Sequence, residues 1–102
     1  MSIRVAIVGP TGFSGMCLLE LLLRHPTARI TYLGSRREEL PHIEQVFPQL
    51  LGRVPDEVAN CRPIDPQAIA KAADVAFLCL PHQAAMQYVT ALLDAGVRVV
   101  DL

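Results

Sequence analysis

Unbroken apolar runs, each followed by a stretch of helical periodicity, set the rhythm of the chain. Arg4-Val5-Ala6-Ile7-Val8 shows no polar alternation after its first residue, as expected of a strand covered on both faces. Phe13 to Arg24 then carries Leu18, Leu19, Leu21, Leu22 and Leu23, a wide apolar face for a helix lying on a sheet. His25-Pro26 stops that helix, because the residue before a proline is driven out of helical geometry. Arg29 to Gly34 is β-branched and aromatic and predicts a second strand. Pro41, Pro48 and Gly52 break up the region from Glu38 to Val54, leaving a short helix around His42 to Val46 and loop. Val58-Ala59-Asn60-Cys61 is the expected third strand. Asp65-Pro66 is a helix start, with Asp as cap and Pro at the first helical position, and the helix runs to about Ala73. Val75 to Leu80 predicts a fourth strand, ended by Pro81-His82. Gln83 to Ala95 predicts a helix with Ala84, Ala85, Val89, Leu92 and Leu93 inward and Gly96 as its C-terminal stop. Val97 to Leu102 is a fifth strand.

Strands alternating with helices imply an α/β fold, a parallel sheet with right-handed crossovers. The expected form is a Rossmann-type doubly wound sheet in the order 3-2-1-4-5, one domain over residues 1–102. Ligands of such sheets bind beyond the carboxyl ends of the strands, where strand order reverses. Three segments fall there: Gly9 to Gly15, Ser35 to Arg37 and Leu80 to His82.

The first is Gly9-Pro10-Thr11-Gly12-Phe13-Ser14-Gly15, a glycine-spaced turn between strand and helix. Gly9 allows a sharp exit from the strand, Gly12 leaves room for a pyrophosphate, and Gly15 allows close helix packing on the sheet. Thr11, Phe13 and Ser14 supply first-turn N–H groups, which have no intrahelical partner and favour an anion. The spacing is G-x-x-G-x-x-G, not the commoner G-x-G-x-x-G, and an ordinary tight strand-to-helix turn is the plain alternative. Met16-Cys17 follows the last glycine where a phosphate-gripping P-loop would have Lys-Ser/Thr.

At the end of the second strand an NAD-preferring protein places a carboxylate against the ribose 2′-hydroxyl. Ser35-Arg36-Arg37 stands there instead, and guanidinium groups match the oxygens of a 2′-phosphate, so NADP is the expected coenzyme. The competing reading makes Arg36 and Arg37 solvated partners of Glu38 and Glu39. Leu80, Pro81 and His82 complete the expected coenzyme contacts, with a water-facing helix-start histidine as the alternative for His82.

Composition narrows the function. The chain has 102 residues, 52% of them apolar, with net charge −1 and no long basic tract, which argues against nucleic acid as a partner. No run approaches the ~18 apolar residues of a membrane span. Met1-Ser2 leads straight into a strand, so no signal peptide is expected and a cytoplasmic location is. Cys17, Cys61 and Cys79 form no C-x-x-C pair, and with His25, His42 and His82 they give no metal-type cluster. Cys79 beside His82 suggests a nucleophile and base, but an apolar strand favours an inert packing thiol, and Cys17 on its helix is expected to be buried as well. Tyr88 lacks the lysine four residues on that short-chain dehydrogenases use, and no catalytic residue is assigned within the chain.

Together these residues resemble the N-terminal part of N-acetyl-gamma-glutamyl-phosphate reductases, relatives of aspartate-semialdehyde dehydrogenase. The similarity rests on Val5 to Gly15, Leu21 to Pro26, Ser35-Arg36, Val46 to Leu50, Ala73 to His82 and Ala95 to Leu102. Pro10 replaces the alanine usual in that loop. The resemblance implies NADPH-dependent reduction of an acyl phosphate to a semialdehyde, through a cysteine thioester and a histidine lying beyond Leu102. The chain is then the coenzyme-binding part, inactive alone, its sheet incomplete at the C-terminal end and its catalytic and dimerisation domain absent. An exposed fifth-strand edge makes a homo-oligomer an expected liability. The alternatives are an aspartate-semialdehyde dehydrogenase-like enzyme and a non-catalytic NADP-sensing module.

Overall fold

The computed structural model describes residues 2–102. Strand β1 (Ile3–Val8) leads through the glycine turn into helix α1 (Phe13–Leu23), and β2 (Ala28–Ser35) returns parallel to β1. A long excursion holds α2 (Ile43–Val46), a 3-10 turn at Pro48–Leu50 and α3 (Asp56–Ala59) before β3 (Arg62–Pro63). Then come α4 (Pro66–Ala72), β4 (Val75–Leu78), α5 (His82–Asp94) and β5 (Arg98–Asp101). All neighbouring strands pair in parallel, in the order β3-β2-β1-β4-β5. The expected sheet order and fold class are those observed.

Two cores sandwich the sheet. On one face Ala6, Val8, Tyr32, Ala76 and Leu78 pack under α4 and α5 through Ile69, Ala85 and Leu92. On the other, Ile7, Ile30 and Leu33 lie under α1 and the excursion through Leu19, Ile43, Leu50 and Val58. Ile30 and Leu33 differ in parity yet share a face, because the register shifts between Val5 and Ala6. Val5 pairs with Ile30 and Ala6 with Tyr32, so Thr31 is the extra residue of a bulge. Its hydroxyl donates to the Val5 carbonyl at 3.3 Å. The bulge sets the register in which Val8 pairs with Gly34 and the Gly9 N–H donates to the Gly34 carbonyl at 2.8 Å. The glycine turn is thereby tied to the end of β2.

Several expectations are corrected. The third strand is not Val58 to Cys61: Pro55 caps a helical turn with Asp56 and Glu57 at its start, and pairing with β2 begins only at Arg62. Acidic residues in a first turn favour that helix over a strand. Cys17 is exposed, not buried, since α1 is apolar nearly all round and cannot bury every face; Leu19 is innermost, while Leu21, expected on the apolar face, is exposed as well. Leu93 of α5 is exposed as well, whereas Ala84, Ala85 and Leu92 face inward.

The excursion is pinned to α1. Arg53 makes a fork to both oxygens of Glu20 at 3.2 and 3.0 Å, and the Gln49 amide reaches Met16 Sδ at 3.1 Å. At the edge strand β3, Tyr32 Oη donates to the Pro63 carbonyl at 2.5 Å and the Arg62 guanidinium lies 4.3 Å from the Tyr32 ring centroid.

Candidate functional site

A cleft of about 460 Å³ opens beyond the carboxyl ends of β1, β2 and β4. Gly9, Thr11 and Gly12 form one wall, Ser35, Arg36 and Arg37 a second, and Cys79, Leu80 and Pro81 the third. Segments more than 20 residues apart in sequence meet there because strand order reverses between β1 and β4.

Each glycine of the turn has its own reason. Gly9 has φ +83°, and a Cβ on it would come within 2.5 Å of Leu80 Cδ2 and 2.8 Å of the Cys79 carbonyl. It therefore permits both the turn and the close approach of the segment after β4. A Cβ on Gly12 would meet nothing within 4 Å, so the absent side chain leaves open cleft. A Cβ on Gly15 would run into the backbone of Pro10, so this glycine lets α1 fold back on its own turn and not, as expected, on the sheet. Gly12 caps α1 without a side-chain bond and no acidic residue stands in the first turn, which leaves that helix end free for an anion.

Ser35 is only 5% exposed, and its Oγ accepts the Arg37 N–H at 3.1 Å. Arg36 and Arg37 are exposed on the rim, and among the described residues neither is ion-paired with Glu38 or Glu39. The ion pairs that do form lie elsewhere, at Arg4–Asp74, Glu20 with Arg24 and Arg53, and His42–Glu44. Both arginines line the cleft, and Arg37 also borders a neighbouring cavity with Glu39.

Eight of the expected site residues line the cleft: Gly9, Thr11, Gly12, Ser35, Arg36, Arg37, Leu80 and Pro81. Four do not. Phe13 is 78% exposed on the first turn of α1, Ser14 is exposed beside it, Gly15 is buried, and His82 is exposed at the start of α5. Cys79 lines the wall, whereas the sequence favours an inert packing thiol over a nucleophile there; its position just past β4, beside Leu80-Pro81, is the signal for a wall residue. Burial raises its thiol pKa, which keeps the sulfur protonated at neutral pH and suits a wall residue better than a nucleophile. Burial likewise pushes the Cys61 thiol up to about 11, partly opposed by the nearby Arg37 charge. No group of three or more metal-ligating side chains occurs among the described residues.

The sheet order, the glycine turn and a cleft at the strand reversal define a dinucleotide-binding α/β domain. The family model described as semialdehyde dehydrogenase, NAD binding domain, matches residues 4–102, and the chain belongs to that family. Among curated relatives, the N-acetyl-gamma-glutamyl-phosphate reductase of Methanosphaerula palustris is 45% identical over 96% of this chain. The protein of that name from Rhodopirellula baltica is 41% identical over 98%. The chain spans 28% of the length of each. Among solved structures, aspartate semialdehyde dehydrogenase with NADP from Candida albicans superposes with TM-score 0.79 at 22% identity, over 99% of this chain and 29% of that one. Dihydrodipicolinate reductase from Paenisporosarcina sp. TG-14 follows at TM-score 0.72 and 18% identity, over 99% of this chain and 37% of that one. At those identities the two structures share the fold.

Proposed function

We propose that the chain is the NADP-binding part of a cytoplasmic N-acetyl-gamma-glutamyl-phosphate reductase, serving arginine biosynthesis. The observation that carries the coenzyme choice is the pair of unpaired guanidiniums beside Ser35, at the strand end where an NAD site holds a carboxylate. The open space at Gly12 and the uncapped start of α1 suit a pyrophosphate, with Thr11, Phe13 and Ser14 offering backbone N–H groups. Arg36 and Arg37 take the 2′-phosphate, by charge-assisted hydrogen bonds worth roughly 1.5–3 kcal/mol each. Leu80 and Pro81 form the apolar wall and His82 stands at its rim.

When bound, NADPH supplies the hydride that reduces an acyl phosphate to the semialdehyde. This chain's own residues bind and orient the coenzyme, and no residue of it is assigned to the acyl-transfer chemistry. The thioester-forming cysteine and the histidine are proposed to lie in a separate catalytic and dimerisation domain, so that residues 1–102 alone are inactive. The names of the 38–45% identical relatives support the substrate, N-acetyl-glutamyl 5-phosphate.

The test is an activity assay of the protein in which this chain is followed by its own downstream sequence. Phosphate-dependent reduction of NADP with N-acetyl-glutamate semialdehyde, and none with aspartate semialdehyde, is the expected result. A folded protein that binds NADP and turns over neither aldehyde would favour a non-catalytic sensing module instead.

A further inference from the structure

We infer that the outward face of α1, the stripe of Phe13, Cys17 and Leu21, is the surface on which the proposed catalytic domain packs. The helix whose start faces the coenzyme is then buried between two domains. The inference rests on the reading of the chain as the coenzyme-binding part of a longer reductase.

Among the 11 residues of α1 only Ser14 and Glu20 have polar side chains. A surface helix is apolar on the side it buries and polar on the other, whereas a helix that is apolar all round is buried all round. The structure accounts for two sides of α1. Leu19 is fully buried against the sheet, with Leu18, Leu22 and Leu23 packed beside it. The excursion flanks the helix where the Gln49 amide reaches Met16 Sδ at 3.1 Å and Arg53 forks onto Glu20. The third side is open: Phe13 is 78% exposed, Leu21 67%, and Cys17 is exposed between them. Steps of four residues put these three on one line along the helix. Leu51, in the chain between Gln49 and Arg53, is 74% exposed as well.

Charge, area and position choose the occupant. The stripe carries no charge, and the bordering Arg24 and Arg53 are both held by Glu20, at 3.7 and 3.0 Å. A helix lying on a membrane surface would instead bring free lysines or arginines along its rim. Four side chains fall short of the ~800 Å² per partner that a free-standing dimer buries. A domain on the same chain docks on less, because linkage holds it close. The chain spans 28% of the length of the N-acetyl-gamma-glutamyl-phosphate reductases it matches, so most of such a protein lies outside this sheet. Phe13 directly follows Gly12 of the cleft, so a body seated on the stripe borders the coenzyme site. A domain that holds the hydride acceptor has to lie there.

The test uses the protein in which this chain is followed by its own downstream sequence, and follows alkylation of Cys17 at neutral pH by peptide mapping. Cys17 in the native protein is expected to react at least roughly tenfold more slowly than in urea, at every protein concentration. Leu21→Lys puts a charge in the stripe away from the cleft, and is expected to restore fast labelling of Cys17 while NADP is still bound.

Cys17 that reacts as fast in the native protein as in urea overturns the inference. Protection that fades on dilution also overturns it, and assigns the stripe to a second copy of the chain. Protection that persists in folded Leu21→Lys overturns it too. None of these readouts depends on turnover. Protected Cys17 in a protein without reductase activity keeps the domain packing and contradicts the reductase reading. Fast labelling in an active reductase does the reverse.

Discussion

Gly9 and Gly12 illustrate how one residue type answers to two different constraints. At Gly9 an alanine meets a positive φ and two close neighbours, Leu80 and the Cys79 carbonyl. Gly9→Ala should destabilise the chain by about 1–3 kcal/mol from backbone strain alone, seen as a lower urea midpoint. At Gly12 the backbone is unstrained and the space is open, so Gly12→Ala should change stability by less than about 0.5 kcal/mol while weakening coenzyme binding. Both glycines were legible in the sequence, because a strand ends and a helix begins around them. What the third contributes was not, since only the path of the chain shows that Pro10 lies over Gly15. The thiols divide in the same way. Cys17 is exposed, Cys79 half-buried and Cys61 buried, so a mild alkylating reagent at neutral pH should label one thiol quickly, Cys17, with Cys61 last. Fast labelling of Cys61 would contradict the packing described. Its raised pKa also sets an alkaline limit. The unfolded thiol ionises first, so the stabilisation is complete below the unfolded value of about 8.5 and is lost as pH rises toward 11.

The helices and strands owe their places to signals of unequal reach. Helix α4 has only seven residues, yet Asp65 accepts from the Gln67 and Ala68 N–H groups at 3.0 and 3.4 Å, with Pro66 at the first helical position. Asp65→Ala should therefore cost about 1 kcal/mol, measurable by urea denaturation. That helix start was plain in the sequence, because capping chemistry is local. The bulge at Thr31 was not, because an alternation of five or six residues cannot reveal one extra residue; only pairing with β1 does. The third strand failed for a related reason. It contributes two residues to the sheet, too few for any periodicity, while the apolar Val58 and Ala59 just before it are buried from a helix. At the opposite end of β1 from the cleft, Arg4 donates to both oxygens of Asp74, from its backbone N–H at 2.9 Å and its guanidinium at 3.0 Å. These bonds hold the Asp74 carboxyl below its ordinary pKa. The resulting tie between β1 and β4 is complete above the usual carboxylate value of about 4 and is lost as pH falls through the lower folded value. Asp74→Asn should flatten the stability profile in that acidic window.

Across residues 2–102 helices cover both faces of a five-stranded sheet, and no described strand pairs with the outer edge of β5. Val100 is 39% exposed and Leu102 62%, next to strand hydrogen-bonding groups that face no further strand among the described residues. Such an edge invites pairing with other chains, so self-association is expected at high concentration, and Val100→Lys should reduce it in sedimentation velocity runs. A concentration-independent monomer would contradict that expectation. The cleft at the other end of the strands shows best how far sequence alone reached. Its three walls come from three motifs, each weak by itself, and the topology implied by alternating strands and helices was enough to bring them together. Side-chain detail was beyond that reach: Phe13, Ser14 and His82 open the helices that follow the lining segments, are exposed, and do not line the cleft. The decisive measurement is calorimetric titration of the unaltered chain with NADP and NAD, beside an Arg36→Ala variant. A clear preference for NADP, reduced roughly ten- to a hundredfold in the variant, is the predicted result. Equal affinity for the two coenzymes, or an NADP affinity indifferent to Arg36, would contradict it.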